Sequence, residues 1–318
     1  MSLTANAVIF ADAGRLEMRQ VTLREPGPDE VVVATSYSSI SSGTERLLFE
    51  GKLPGMPHLR YPLVPGYEAA GTVIAIGSAV TNVAVGDAVF VGGSMCYSDV
   101  AAAFGGQSSC LIKRAEQVVP LKSIPLSQAP LLALAATALH GVLRLGDVAG
   151  ARVAVLGMGA LGQLAAQFLR AAGAHTVIVD RSASRLELAV GDEKIDVSER
   201  TLEEALPEPV DHVIEVTGKS EELARCARVM KMGGKIVLLS YYDPLTTPFV
   251  DLFVKEATLL VSREWAPPDL PAARDAADSG AVNLEPLARH IVPIASYDQA
   301  YKTAFQDPSI LKVVLQWA

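Results

Sequence analysis

Short extended segments separated by polar and glycine-rich turns characterise the first 125 residues of the chain. Alternating apolar and polar positions predict strands at 7–10, 16–23, 30–38, 72–76, 88–91, 111–112 and 118–119. Gly14 and Pro26-Gly27-Pro28 break the earlier segments, and Gly86-Asp87 forms a turn before residue 88. This pattern indicates a β-rich region.

Strands alternate with helices after residue 125. An Ala/Leu-rich helical segment runs to residue 145, and further helices are predicted at 161–172, 270–277 and 298–305. Strands are predicted at 152–156, 176–179, 210–215, 235–239, 258–262, 291–293 and 312–315. Gly233-Gly234 is predicted as a turn before the strand at 235–239. Such alternation indicates βαβ units and a parallel sheet.

A glycine-rich turn follows the predicted strand at 152–156 and opens the next helix. Its sequence is Gly157-Met158-Gly159-Ala160-Leu161-Gly162. The first glycine permits a tight turn, the second lets the backbone approach a pyrophosphate, and the third allows close helix–strand packing. The helix N-terminus adds N–H donors and a favourable dipole. We therefore predict a dinucleotide site here, the alternative being a glycine turn without a ligand.

The residues after two later strands indicate which dinucleotide is bound. Asp180 ends the strand that follows the turn, at the spacing where a ribose 2′-hydroxyl is normally held. Its carboxylate would accept a hydrogen bond from NAD and repel the 2′-phosphate of NADP. Arg181 could stack on adenine or bind a phosphate, and Thr217-Gly218 lie where loops contact a cofactor. We predict NAD, with a plain strand-ending turn as the alternative for Thr217 and Gly218.

Composition and charge narrow the class of protein. The 318 residues are 50% hydrophobic and 19% charged, with a net charge of −8, which suits a buried α/β core and argues against a nucleic-acid partner. Cys96, Cys110 and Cys226 include no C-x-x-C pair, so neither a disulfide framework nor a four-cysteine zinc site is expected. No signal-peptide pattern and no membrane-spanning stretch is evident. We expect a cytoplasmic protein whose oligomeric state is open, a homodimer included.

Two further segments carry a resemblance to a known family. Ser42-Gly43-Thr44-Glu45 and Gly66-Tyr67-Glu68 stand where that family carries Cys-Gly-Thr-Asp and Gly-His-Glu. With Gly77, Gly86-Asp87, the glycine turn and Lys312-Val313-Val314, the chain resembles the medium-chain dehydrogenase/reductase superfamily over essentially its whole length. The resemblance implies an α/β fold in which a Rossmann doubly wound parallel sheet is inserted in a GroES-like β-rich catalytic domain. It places the catalytic domain at 1–125 and 264–318 and the NAD-binding domain at 126–263.

The chain departs from the family at the catalytic zinc. Ser42 replaces the thiolate ligand and Tyr67 replaces the imidazole ligand, and neither is an ordinary ligand for zinc. The five histidines show no H-x-x-x-H spacing that would rebuild the site. We therefore predict that no metal is bound.

Hydroxyl groups must then stabilise the negative charge that develops on the substrate oxygen, a task that zinc performs elsewhere. The resemblance implies that Thr44 contacts this oxygen, with Tyr67 aimed into the same cavity. Glu68 is implied to support the site from behind, Ser42 to hydrogen-bond substrate or water, and Lys312 to belong to the cofactor site. The structural alternatives are a turn cap for Thr44, an inert residue at Ser42, and space filling at the position of the family's zinc site for Tyr67.

NAD-dependent oxidation of a secondary alcohol to a ketone is the activity that the resemblance implies. The stretches 41–45, 65–68 and 261–265 are similar to a zinc-free branch of the family that acts on bacteriochlorophyll precursors. That branch implies a tetrapyrrole substrate whose 1-hydroxyethyl group becomes acetyl. An NADPH-dependent enone or quinone reductase is an alternative that Asp180 opposes. A non-catalytic nucleotide-binding module is an alternative of another class.

Overall fold

The computed structural model describes residues 3–53 and 59–317. The chain divides into two compact units, one of Met1–Ala133 with Leu284–Ala318 and one of Leu134–Asn283. The cuts follow residues 133 and 283, whereas the boundaries predicted from the sequence follow residues 125 and 263, and the domain limits stay a proposal. Within the described ranges, no helix has the length and apolar character needed to cross a membrane.

Strands dominate the two ends of the chain, and strands alternate with helices in its middle. The first stretch contains β1 (Thr4–Asp12), β2 (Arg15–Thr22), β3 (Glu30–Ile40), α1 (Thr44–Phe49), β4 (Leu63–Val64), β5 (Ala69–Ile76), β6 (Ala88–Val91), β7 (Ala101–Ala102), β8 (Cys110–Arg114) and β9 (Val118–Pro120). The middle stretch contains α2 (Leu132–Leu145), β10 (Arg152–Leu156), α3 (Ala160–Ala171), β11 (His175–Asp180), α4 (Ala183–Leu188), β12 (Glu193–Asp196), α5 (Leu202–Ala205), β13 (Val210–Glu215), α6 (Glu222–Arg228), β14 (Met230–Leu238), α7 (Phe249–Phe253), β15 (Thr258–Val261) and α8 (Asp269–Asp278). The last stretch contains β16 (His290–Pro293), α9 (Tyr297–Gln306) and β17 (Val313–Gln316). Short 3₁₀ helices lie at Ala115–Gln117, Ala129–Leu131, Glu285–Leu287 and Ile294–Ser296.

A six-stranded parallel sheet is the framework of the second unit. Its strands follow the order β12-β11-β10-β13-β14-β15. The central strands are apolar runs with buried side chains, as crossover helices on the faces of a parallel sheet require. Leu156 of β10 pairs with Val179 on one side and with Glu215 on the other, so three carboxyl ends meet at one edge. The predicted doubly wound sheet is confirmed.

Two mainly antiparallel sheets form the first unit, with parallel pairing only between β4 and β7 and between β16 and β17 among the described strands. One has the strand order β2-β1-β4-β7, and the other has the order β16-β17-β3-β5-β6-β9 with β8 also paired to β3. Strand β3 joins distant segments, because Ser39 pairs with Val314 of β17 and Ser38 pairs with Ala69 of β5. The end of β3 and the beginnings of β5 and β17 therefore lie side by side, and α1 starts just beyond β3. The predicted β-rich domain is confirmed.

One predicted turn is wrong, and several short elements were not predicted. Gly233-Gly234 lie inside β14, where the pairing with β13 shifts register between Val210 and His212. Gly233 has a φ of +74°, which glycine adopts readily, and this lets the strand continue through the irregularity. The elements missed are too short to establish a periodic pattern: α1, α4–α7, β4, β7 and β12.

Candidate functional site

The predicted glycine fingerprint forms the turn between β10 and α3. Gly157 has a φ of +100°, and Gly162 has no room for a side chain because a Cβ there would lie 1.8 Å from the Gly157 carbonyl oxygen. A Cβ on Gly159, by contrast, would meet no atom within 4 Å, and α3 begins at the next residue. An open backbone at a helix N-terminus fits a pyrophosphate. The other positions of the turn are buried or half-buried: Met158, Ala160 and Leu161.

Asp180 lies against this turn. Its Oδ2 accepts a hydrogen bond from the Met158 N–H at 2.6 Å, and its Oδ1 accepts one from the Ser182 N–H at 2.8 Å. An ionised carboxylate has about four lone-pair sites, so the group can still accept a hydrogen bond from a ribose. Arg181 is exposed, and Arg185 Nη1 lies 4.0 Å from Asp180 Oδ2. The structure thus brings Asp180 together with the fingerprint.

Thr217 and Gly218 follow β13 at the same edge of the sheet. A Cβ on Gly157 would lie 3.2 Å from Thr217 Cγ2, so the loop touches the fingerprint. The N–H groups of both residues donate to the Glu215 carboxylate, at 2.8 Å from Thr217 and 3.4 Å from Gly218. Glu215 is fully buried, and this burial raises its pKa to about 7. The sequence places Glu215 at the start of the predicted segment Glu215-Val216-Thr217-Gly218 but gives it no role of its own, because one acidic residue at a strand end carries no distinguishing pattern.

Three hydroxyl side chains meet in the first unit. The Tyr67 hydroxyl lies 2.7 Å from Ser41 Oγ and donates to Thr44 Oγ1 at 3.4 Å. Burial raises the pKa of the Tyr67 phenol well above its ordinary value, and the adjacent Glu68 raises it further. The phenol is therefore protonated at neutral pH and is a hydrogen-bond donor, not a base. Ser42, predicted at this site, is exposed, and the neighbouring Ser41 makes the contact with Tyr67 instead.

A buried ion pair involves Glu68, the residue that follows Tyr67 in the sequence. Lys312 Nζ lies 2.5 Å from Glu68 Oε2, and the two side chains are 4% and 0% exposed. Ser39 Oγ donates a hydrogen bond to the same carboxylate. Glu68 Oε1 is buried and has no hydrogen-bond partner among the described residues. Lys312, which was predicted at the cofactor, thus pairs with Glu68 inside the first unit, and its role toward the cofactor stays a prediction.

A second buried carboxyl group, Glu45, adjoins the hydroxyl groups. It accepts hydrogen bonds from the Ser41 N–H at 2.9 Å and from the Tyr301 hydroxyl at 2.6 Å. Burial raises its pKa to about 7, opposed chiefly by these two hydrogen bonds. Ser41 and Tyr301 were not predicted as site residues, and the motif gave no means of finding Tyr301, which lies 256 residues from Glu45.

The donor set does not fit a catalytic zinc ion. Zinc sites use thiolate, imidazole and carboxylate ligands, whereas Ser41 and Thr44 offer neutral hydroxyls and Tyr67 a phenol of raised pKa. The carboxylate of Glu68 already pairs with an ammonium group. Over residues 3–53 and 59–317, no cluster of three or more His, Cys, Asp or Glu side chains is placed to hold a metal ion. The arrangement suits chemistry based on hydroxyl groups.

Comparisons with known proteins agree with this architecture. Two family models match, the alcohol dehydrogenase GroES-like domain over residues 27–123 and the zinc-binding dehydrogenase over residues 160–279. The 2-desacetyl-2-hydroxyethyl bacteriochlorophyllide A dehydrogenase of Cereibacter sphaeroides is 36% identical over 324 residues, which cover 99% of each chain. The enzyme of the same name from Rhodobacter capsulatus is 36% identical, covering 93% of this chain and 92% of that one.

A solved structure extends the likeness to the fold. A protein described as a zinc-binding dehydrogenase from Sinorhizobium meliloti 1021, bound to NADP, matches with a TM-score of 0.86 and 25% identity. The match covers 99% of this chain and 100% of the other. The glycine fingerprint, the two family models and 36% identity to two dehydrogenases over nearly the whole chain lead to one conclusion. The chain belongs to the medium-chain dehydrogenase/reductase family and is an oxidoreductase of the alcohol dehydrogenase type.

Proposed function

We propose that the protein uses NAD to oxidise a secondary alcohol to a ketone without zinc, and that its substrate is the 1-hydroxyethyl group of a bacteriochlorophyllide, which becomes acetyl. The contact of the Tyr67 phenol with the hydroxyls of Ser41 and Thr44, in the segments that carry zinc ligands in relatives, supports the reaction class. The names of the 36% identical relatives support the substrate.

The glycine fingerprint and Asp180 would hold NAD, which would supply the acceptor for the hydride of the carbinol carbon. The residues of this chain hold and polarise the alcohol. The protonated Tyr67 hydroxyl donates to the substrate oxygen as charge develops there. The hydroxyls of Ser41 and Thr44 pass the alcohol proton to water, since a hydroxyl can accept one proton while it donates another. Glu68 supports Tyr67 from behind through its pairing with Lys312.

The decisive assay supplies NAD and a hydroxyethyl bacteriochlorophyllide and follows pigment absorption and NADH together. One NADH is expected for each acetyl group formed, with the same rate in the presence of a zinc chelator and no stoichiometric zinc by elemental analysis. Failure to turn over this substrate, with reduction of an enone by NADPH, would assign the protein to the other reductase class. One tightly bound zinc per chain, or inhibition by the chelator, would contradict the hydroxyl-based site.

The choice of NAD over NADP rests on Asp180. Asp180→Ser removes both the ribose acceptor and the charge that repels a 2′-phosphate, so the ratio of kcat/KM for NAD over NADP should fall at least about tenfold. Asp196→Ser is the matched control, because Asp196 ends the neighbouring strand β12 and pairs in register with Asp180. An unchanged ratio in Asp180→Ser would show that cofactor selection lies elsewhere.

We also propose that the protein is cytoplasmic and forms a homodimer. The three cysteines are free and buried, which suits a reducing compartment. Strand β15 is an edge of the parallel sheet, and a second copy could pair with it because the strand carries no charge. The segment 241–261, which leads into and includes β15, exposes several apolar side chains: Tyr241, Leu245, Phe249, Val250, Phe253, Val254 and Val261. Light scattering during gel filtration measures the mass, and a monomer would rule the dimer out.

A further inference from the structure

Glu215 is a carboxyl group that the proposed reaction does not yet use. It is the last residue of β13, its exposed fraction is 0%, and its hydrogen-bond partners among the described residues include no cation. Its Oε1 accepts hydrogen bonds from the N–H and hydroxyl of Thr217, and its Oε2 accepts them from the Gly218 N–H and the Tyr242 hydroxyl. Burying a carboxyl group costs free energy unless hydrogen bonds offset it. Here every one of those bonds goes to a loop at the carboxyl edge of the sheet.

Two loops are joined through this carboxyl group. Thr217 and Gly218 belong to the loop after β13, whereas Tyr242 belongs to the loop after β14. Gly218 packs closely on the second loop, since a Cβ on it would lie 2.8 Å from Ser240 Oγ. Thr217 in turn lies against Gly157 of the fingerprint. The position of the first loop therefore depends on both Glu215 and Tyr242.

The strand order identifies which part of the cofactor this loop faces. β10, which is followed by the glycine fingerprint, lies between β11 and β13. Asp180 at the end of β11 is the proposed acceptor for the adenosine ribose. A dinucleotide that crosses the carboxyl edge of the sheet must then extend its other half over β13. Thr217 and Gly218 thus lie on the side of the nicotinamide half.

We propose that Glu215 and Tyr242 are positioning residues that together hold the Thr217-Gly218 loop in the conformation that binds the nicotinamide half of the cofactor. The inference rests on the proposed use of NAD. Since burial raises the pKa of Glu215 to about 7, the carboxylate is the dominant form only above neutral pH. A protonated carboxyl group has fewer acceptor sites, so cofactor affinity should weaken as the pH falls from 8 to 6. The titratable groups that influence Glu215 are Glu222, Cys226 and its partner Tyr242.

The test measures NADH binding by the full chain through nicotinamide fluorescence at pH 6, 7 and 8, with no alcohol present. Glu215→Gln should raise the Kd at pH 8 about tenfold and remove most of the pH dependence, because charged hydrogen bonds to the loop are lost. Tyr242→Phe should raise the Kd about fivefold, and the double variant should be less than additive. Tyr241→Phe and Glu221→Gln are the matched controls, since both side chains are exposed, and both variants should bind NADH like the wild type.

The outcomes separate this proposal from the proposed function. If the wild type binds no NADH, the proposed function fails. If the wild type binds NADH, and if both Tyr242→Phe and Glu215→Gln bind it as tightly with the same pH dependence, only the positioning role of Glu215 and Tyr242 is overturned. Thermal melting identifies a variant that does not fold, and Tyr242→Phe, which loses one hydroxyl from a half-buried ring, still decides the result if Glu215→Gln is unfolded.

Discussion

Tyr67→Phe is expected to lower kcat about 100-fold while the Kd for NAD changes little, because one preorganised donor to a developing oxyanion is worth about that much. Phenylalanine keeps the ring, including its edge contact with Phe104 at a centroid distance of 5.2 Å. The loss would therefore come from the hydroxyl and not from packing. Stopped-flow and steady-state rates of NADH formation measure the change.

The partners of the hydroxyl provide a second arm of this experiment. Thr44→Val should also lower kcat, and the double variant should lose less than the product of the two effects because both hydroxyls act on one oxygen. Tyr297→Phe is the matched control, since its hydroxyl accepts a hydrogen bond from the Met18 N–H in the first unit. If Tyr67→Phe turned over at the wild-type rate, the Tyr67 hydroxyl would have no chemical role, and the ring would only fill the space that the zinc site occupies in relatives.

Lys312→Met is expected to lower the free energy of unfolding by about 3–5 kcal/mol, because it leaves a buried carboxylate without its counter-charge. Glu68 is 1% exposed, and one of its oxygens has no hydrogen-bond partner among the described residues even when Lys312 is present. Urea unfolding at pH 8 measures the loss. Lys302→Met, on the exposed face of α9, is the control and should change stability little.

A double replacement distinguishes charge from packing in this pair. Lys312→Met combined with Glu68→Leu should regain much of the lost stability, since a buried ion pair can often be exchanged for apolar groups. A loss of stability that persists in the double variant would point to packing.

The nucleotide half of the molecule could be predicted from sequence because its signals are local. The glycine turn, the strand before it and Asp180 lie within a single βαβ unit, and Gly157 and Gly162 each have a steric reason to be there. The first unit was harder, because its contacts join opposite ends of the chain. Lys312 meets Glu68 only because β17 and β5 both lie alongside β3. Residue spacing in the sequence does not predict this pairing of β17 and β5 with β3.

The hydroxyl cluster shows a different limit of sequence reasoning. The match of Ser42 to the family's zinc-ligand position identifies the motif, but it does not predict where each side chain of the motif points. The turn before α1 points the Ser41 hydroxyl toward Tyr67 and leaves Ser42 exposed. Of the two adjacent serines, the backbone conformation brings Ser41 to Tyr67, and the role of Ser42 toward substrate or water stays a prediction.

The pairing of β17 with β3 also has a consequence for how the protein folds during its translation. On the ribosome the N-terminal strands emerge first, and domains generally fold as units while synthesis proceeds. The second unit has all its strands in one continuous stretch and can fold while the chain is still growing. The first unit cannot be completed then, because Tyr301, Lys312 and β17 follow the whole of the second unit in the chain. Until β17 is made, Glu45 and Glu68 lack partners that offset the cost of their burial, so the first unit is completed only after the second unit has been synthesised.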